Sequence, residues 1–236
     1  MNVQPFLSKT NTRAATAATL LRLDASVRTD GSVSRSLADA AEEAFRAGLP
    51  EAAVVRRDLG RAPLAALWPE AIAASAMAEA ERSRAARAAY AAAKTLVDEL
   101  LAADAYLFAV PMYNFGPPQQ VKHWIDMIIC DPRANDVHVP LLRGRPALLL
   151  QVCGGAYGPG TARAGYDHLT PYLRCILADV WGLALTTVTV ELTAAAHSPA
   201  MQELRAQAAR NQEAGHASAC AHAEAMARGL ARRRAL

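Results

Sequence analysis

The sequence predicts an α/β fold in which a five-stranded parallel sheet carries helices on both faces. Short apolar runs alternate with longer amphipathic or alanine-rich stretches along most of the chain. With 236 residues and 53% hydrophobic content, the chain can bury one substantial core, whereas two equal domains would be cramped. Parallel strands need crossover helices, and right-handed crossovers cover both faces of the sheet.

Residues 18–25 read as the first strand, 34–47 as a helix and 52–59 as the second strand. Residues 68–102 are alanine-rich, with no proline after Pro69, and predict one long helix or two. Residues 105–110 form a short buried strand closed by Pro111, and the pair Pro117-Pro118 opens a helix over 117–129. Residues 146–153 are the fourth strand, 166–181 a helix, 185–192 a Thr/Val-rich strand, and 199–234 a long terminal helix. Residues 1–16 are polar and read as a flexible extension, leaving 17–236 as a single domain.

Composition removes several classes of function. The formal charge is only +3 and aromatic content 6%, with basic residues gathered in the C-terminal tail rather than interleaved with aromatics, which argues against nucleic acid. Cys130, Cys153, Cys175 and Cys220 form no CxxC pair or regular spacing, so neither a disulfide scaffold nor a metal site is expected, and a reducing cytoplasm fits. No signal peptide and no run of about 18 apolar residues is evident, which predicts no membrane partner.

Ligands in open parallel sheets lie outside the carboxyl ends of the strands at the switch point, so the turns after Ala25, Val110 and Cys153 are the places to look. The first, residues 26–35, is rich in hydroxyls, with Ser34 expected as the helix cap. A phosphate monoester needs converging donors, which Ser26, Ser32, Ser34 and the free N–H groups of a helix start, Val33 included, would supply. Arg28 and Arg35 would neutralise it, while Asp30 would point to solvent. The absence of Gly-x-Gly-x-x-Gly and of Gly-Lys-Ser/Thr argues against dinucleotide and P-loop sites. The plainer alternative is an ordinary polar turn with a cap.

The second turn exposes Met112, Tyr113, Asn114 and Phe115 at the end of a buried strand, a surface suited to a flat heterocycle: ring faces meet aromatic and thioether groups, and polar edges meet amides. A core aromatic cluster is the alternative. Residues 111–126, with Gln120, Lys122, Trp124 and Asp126, resemble the signature of the FMN-dependent NADH azoreductases, which are also NADH:quinone oxidoreductases. The spacing of Ser26, Ser32 and Ser34 resembles that family's first turn, and the likeness runs over about residues 18–195, including Val54 to Leu59, Thr170 to Leu173 and Trp181 to Leu183.

The resemblance implies a flavodoxin-like sheet and a non-covalently held FMN touched by Ser26, Ser32, Val33, Ser34, Met112, Tyr113, Asn114 and Phe115, and by Val152, Cys153, Gly154 and Gly155 at the pyrimidine edge. In the family that edge is commonly Ser-Arg-Gly-Gly, so Val152 and Cys153 depart from it and would alter flavin potential or affinity. Cys153 is read as a small buried residue, since nothing nearby would activate a thiolate.

Trp124 and Tyr157 are expected in the substrate pocket. The resemblance further implies NADH or NADPH as donor, a quinone or azo compound as acceptor, a ping-pong sequence through flavin N5 with no catalytic side chain required, and a homodimer with active sites at its interface. Residues 129–140 lack the family's Thr-Phe-x-Tyr pattern, and His138 there is a candidate proton donor or simply a solvated residue. That departure keeps open a flavoenzyme dedicated to one metabolite, and fold alone keeps open a non-catalytic binding module.

Overall fold

The computed structural model describes residues 17–235. The expected extension, residues 1–16, lies outside the described residues. Five strands form one parallel sheet: β1 (Thr19–Asp24), β2 (Ala53–Asp58), β3 (Ala105–Pro111), β4 (Pro146–Val152) and β5 (Ala184–Val190). Their spatial order is β2-β1-β3-β4-β5, all neighbours parallel. The order reverses direction beside β1, so β1 and β3 part their crossovers to opposite faces and open a crevice at their carboxyl ends.

Side-chain alternation divides the core in two. Leu21, Leu23, Tyr106, Phe108 and Leu149 face one side, beneath α3 (Arg84–Ala102), α4 (Gln119–Ile129) and α5 (Thr170–Arg174). Leu20, Leu107, Ala109, Leu148 and Leu150 face the other, beneath α1 (Val33–Gly48) and α6 (Arg205–Arg234). The central strands β3 and β4 are buried nearly throughout, as a sheet covered on both faces requires. The edge strand β2 carries Arg56, Arg57 and Asp58 instead, charges that keep an open edge from pairing.

Arg22 and Asp24 depart from this pattern: on the α1 face of β1, where apolar residues would serve, they are 5% and 3% exposed. Arg22 bonds Asp24 at 2.8 and 3.0 Å, Asp39 at 2.7 Å and Glu42 at 3.1 Å, so each buried charge has a partner. Burial opposes the guanidinium charge, yet the hydrogen bonds and charges of Asp24 and Asp39 hold the Arg22 pKa above its ordinary value. The cluster joins α1 to the strand that leads into the first turn.

The alanine-rich stretch is two helices, α2 (Trp68–Ser75) and α3, and Ser83 caps the second by accepting the N–H of Ala86 at 3.1 Å. The helix expected over 166–181 begins only at Thr170 and passes into a π-helix over Cys175–Val180. That wider turn precedes Trp181, which is fully buried against Trp124 and donates its indole N–H to the Ala134 carbonyl at 3.2 Å. The terminal helix is preceded by a 3-10 segment, Pro199–Leu204. No described helix is long and apolar enough to cross a membrane.

Candidate functional site

The three turns meet at the carboxyl edge of the sheet and line two adjoining clefts, of about 550 and 890 Å³. Both volumes lie within the roughly 300–1,000 Å³ of small-molecule sites. Val27 and Tyr113 belong to both clefts and form the ridge between them.

The smaller cleft begins at the first turn. Gly31, at φ 63°, reverses the chain into α1, and Ser32 is the cap: its backbone is non-helical and its hydroxyl accepts the Arg35 N–H at 3.5 Å. This corrects the expectation for Ser34, which lies inside the first helical turn with its hydroxyl 3.3 Å from that of Ser32. Ser26, Ser32, Val33 and Ser34 all line the cleft, together with Arg28. The first N–H groups of a helix have no intrahelical acceptor, and the dipole there favours an anion. Asp30 is exposed, as its charge demands.

Arg35 was expected beside a phosphate, and its guanidinium is instead committed within the protein. It makes a two-pronged ion pair with Asp58 at 2.6 and 2.7 Å and donates to the carbonyls of Ser26 at 2.7 Å and Arg28 at 3.1 Å. The physical reason is geometric: the carboxylate at the end of β2 offers a closer planar partner than the cleft does.

The cleft continues along Pro111, Met112 and Tyr113. Tyr113 and Gly116 exchange backbone hydrogen bonds at 3.1 and 3.0 Å, closing a turn whose central residues Asn114 and Phe115 have φ 48° and 69°. Asn tolerates that left-handed conformation, whereas Phe strains in it. Neighbours hold it there: the Phe115 ring meets the edges of Tyr157 and Tyr166 at 6.2 and 5.9 Å, and its carbonyl accepts the His168 N–H at 2.9 Å. The Tyr113 hydroxyl reaches back to the first turn, accepting the Val27 N–H at 3.2 Å. Gln120 adds a second tie, donating to the Ala25 carbonyl at 2.6 Å.

From the third turn, Val152 and Gly154 line the smaller cleft, while Cys153 and Gly155 do not. Strand alternation turns the Cys153 side chain into the core, 1% exposed, with its backbone tied to Val190 and Thr193. Burial pushes the thiol pKa up to about 11, a hydrogen bond from Gln151 offsetting part of it and the charges of Asp167 and Glu191 adding to it. Such a thiol is a poor nucleophile at neutral pH. The wall is completed by Thr193, Ala194, His197 and Gln212, none of which sequence reasoning selected. They follow β5, and only its pairing beside β4 brings them here.

The larger cleft has Trp68, Pro69, Tyr113, Asn114 and Tyr172 among its walls, with His123 and His168 as polar members. The Nε2 of His123 is buried without a hydrogen-bond partner. One expectation is corrected at this end. Trp124 is 2% exposed and packs between Phe108 and Trp181, so it belongs to the core because it occupies the sheet-facing side of α4. Tyr157 and Phe115 lie outside the linings of both clefts and meet edge to face beside them. His138 and the rest of 129–140 also stay outside both clefts; Asp131 and Arg133 there pair with each other, and Arg133 with Asp98.

Comparison with known proteins agrees with this geometry. The model of a family described as having a flavodoxin-like fold matches residues 18–214. An FMN-dependent NADH:quinone oxidoreductase of Streptomyces avermitilis is 36% identical over 211 residues, covering 89% of this chain and 97% of the relative. Its namesake from Streptomyces coelicolor is 34% identical over 214 residues, covering 90% and 97%. Among solved structures, the azoreductase AzrA superposes with a TM-score of 0.74 at 23% identity, over 88% of this chain and 99% of the other, a likeness of fold. An FMN-dependent NADH-azoreductase from Bacillus anthracis, solved with FMN, gives a TM-score of 0.65 at 18% identity, over 86% and 99%. The serine-lined start of α1, the Met112-Tyr113 wall beside it and a similarity to the two Streptomyces enzymes that spans nearly all of both partners together make the chain a member of the FMN-dependent NADH:quinone oxidoreductase family.

Proposed function

We propose that this enzyme binds FMN in the smaller cleft and uses it to reduce quinones or azo compounds with NADH or NADPH. The carrying observation is that the hydroxyls of Ser26, just after β1, and of Ser32 and Ser34, at the open end of α1, share one cleft with the Met112-Tyr113 wall. The donor set fits the cofactor: hydroxyls and helix N–H groups suit a phosphate, while a thioether and an aromatic suit a ring. Val152 is the apolar departure at the third turn. FMN held in this cleft would supply two-electron hydride chemistry at its N5, which suits a ping-pong sequence between donor and acceptor.

The chain's own residues then bind and orient. Ser26, Ser32, Ser34 and the N–H of Val33 hold the phosphate, Met112 and Tyr113 back the ring, and Gly154 lets backbone approach its polar edge. The adjoining cleft receives donor and acceptor in turn. Its walls of Trp68, Pro69 and Tyr172 suit flat aromatic molecules. Trp68, Phe115 and Tyr166 are 42, 42 and 56% exposed around it, which supports a homodimer in which a second copy covers this mouth. A cytoplasmic setting accords with cysteines that form no disulfide.

The test is optical. After reconstitution with FMN, anaerobic NADH or NADPH is expected to bleach the visible flavin band, and adding a quinone to restore it without oxygen. A flavin band left intact by both nicotinamides would overturn the reading. Bleaching with no recovery by any quinone or azo dye would restrict it to the donor half.

A further inference from the structure

The loop over residues 26–32 presents its hydroxyls to the cleft, yet little of its own regular structure holds it in shape. Ser26, Arg28 and Gly31 lie between the end of β1 and the cap of α1, and residues 27–31 are exposed. The Tyr113 hydroxyl accepts the Val27 N–H from the cleft side and the Ser26 hydroxyl accepts the Arg28 N–H within the loop, but the denser set of bonds comes from behind. Arg35, one turn into α1 and 9% exposed, spends four of its N–H directions at once: two on the Asp58 carboxylate, one on the Ser26 carbonyl and one on the Arg28 carbonyl. The guanidinium therefore spans the loop from its first residue to its third.

Asp58, at the end of β2, is held as firmly. Besides Arg35, its Oδ1 accepts the N–H groups of Gly60 at 3.1 Å and Arg61 at 2.9 Å. Burial works against its charge, but Arg35 and these N–H groups outweigh it and keep the carboxyl below its ordinary range. Gly60 completes the arrangement, because a Cβ there would collide with the Ser26 carbonyl and stand 2.9 Å from Arg35 Nη2. Backbone from the β2 exit is thus pressed directly against the back of the loop.

We propose that Arg35 and Asp58 form a latch that holds the 26–32 loop in its phosphate-receiving shape before cofactor arrives, and so set affinity for the phosphate of FMN rather than for its ring. Both are positioning residues. Arg35 acts through two carbonyls and leaves charge neutralisation in the cleft to Arg28 and the helix start. Preorganised donors bind more tightly because the cost of ordering them is already met. The inference rests on the FMN reading and extends it to residues that do not touch the ligand.

The experiment compares FMN with riboflavin, which has the ring and ribityl chain but no phosphate. Flavin-free wild-type protein and the variants Arg35→Gln, Arg35→Lys and Asp58→Asn are titrated with each, following flavin fluorescence, with circular dichroism melting alongside. Loss of charged hydrogen bonds predicts that FMN affinity falls about tenfold or more in Arg35→Gln and Asp58→Asn, with riboflavin affinity held within about twofold. Lysine keeps the charge without the fork, so Arg35→Lys is expected to fall with them. Full recovery in Arg35→Lys, equal losses for both flavins, or no loss would overturn the latch. Should Arg35→Gln fail to fold, Asp58→Asn, isosteric and retaining Arg35, carries the same comparison. Wild-type protein that binds neither flavin would overturn the cofactor reading itself, an outcome distinct from variants that match a wild type that does bind.

Discussion

At the scale of single residues, the site contains a side chain whose chemistry is incomplete in the free protein. His123 lines the larger cleft while its Nε2 is buried and unpaired. A buried polar atom left without a partner costs about 1–3 kcal/mol, a cost that a ligand able to hydrogen-bond would remove. Replacing His123 with leucine is therefore expected to raise thermal stability and, at the same time, raise the quinone KM severalfold while leaving FMN affinity unchanged. A KM equal to wild type would show that His123 has no part in acceptor binding. This residue was not legible in the sequence, because a histidine on a helix gives no sign of whether its ring nitrogens are paired. Ser26, Ser32 and Ser34 were legible because their spacing around a strand end is itself the geometry. Arg35 was legible only as a charge; its direction depends on Asp58, which lies 23 residues away in sequence and meets it only once β2 pairs with β1.

At the scale of elements, periodicity placed all five strands, since apolar runs bounded by turn residues survive any detail of packing. Boundaries moved where a local competitor acted: Ser83 started a new helix inside the alanine-rich stretch, and the π-helix before Trp181 replaced the end of a regular one. The terminal helix shows why propensity alone misleads. Gly215, Ala219, Ala223 and Ala227 recur every fourth residue and are buried, so α6 lies close to its neighbours. A Cβ at Gly215 would collide with Val190 of β5, whereas one at Gly229 would meet nothing nearer than Arg233 Nη1 at 4.0 Å. Alanine gains about 1 kcal/mol over glycine in a helix, while forced overpacking costs about 1–3 kcal/mol. Gly229→Ala is thus expected to raise the unfolding free energy and Gly215→Ala to lower it, measured by urea denaturation. Gln212 lies one turn before Gly215 and lines the smaller cleft, so Gly215→Ala should also weaken FMN binding. Equal, stabilising effects from both substitutions would mean that α6 is free to move away from β5.

At the scale of the whole molecule, the fold brings three turns to one edge and leaves apolar surface there that a monomer has little reason to expose. Trp68 and Ile72, four residues apart on α2, are 42 and 44% exposed, and Trp68 lines the larger cleft. Phe115 and Tyr166 continue the exposed aromatic surface beyond Asn114 and His168 of the same cleft. Apolar groups rimming a cavity in this way are the kind of surface that the proposed homodimer would cover. An isologous pair would place the same patch of each chain against the other and close both larger clefts with one contact. The serine-lined smaller cleft lies across the Val27-Tyr113 ridge from this patch, so FMN binding and acceptor turnover should separate. Light scattering after size exclusion is expected to give twice the 25.1 kDa chain mass for the wild type. In Trp68→Glu, a charge at the centre of the patch should produce monomers that still bind one FMN each but reduce quinones slowly, because the larger cleft then stands open to water. Wild-type protein of single-chain mass with full turnover would refute the paired arrangement, and Trp68→Glu dimers with normal turnover would move the interface elsewhere on the molecule.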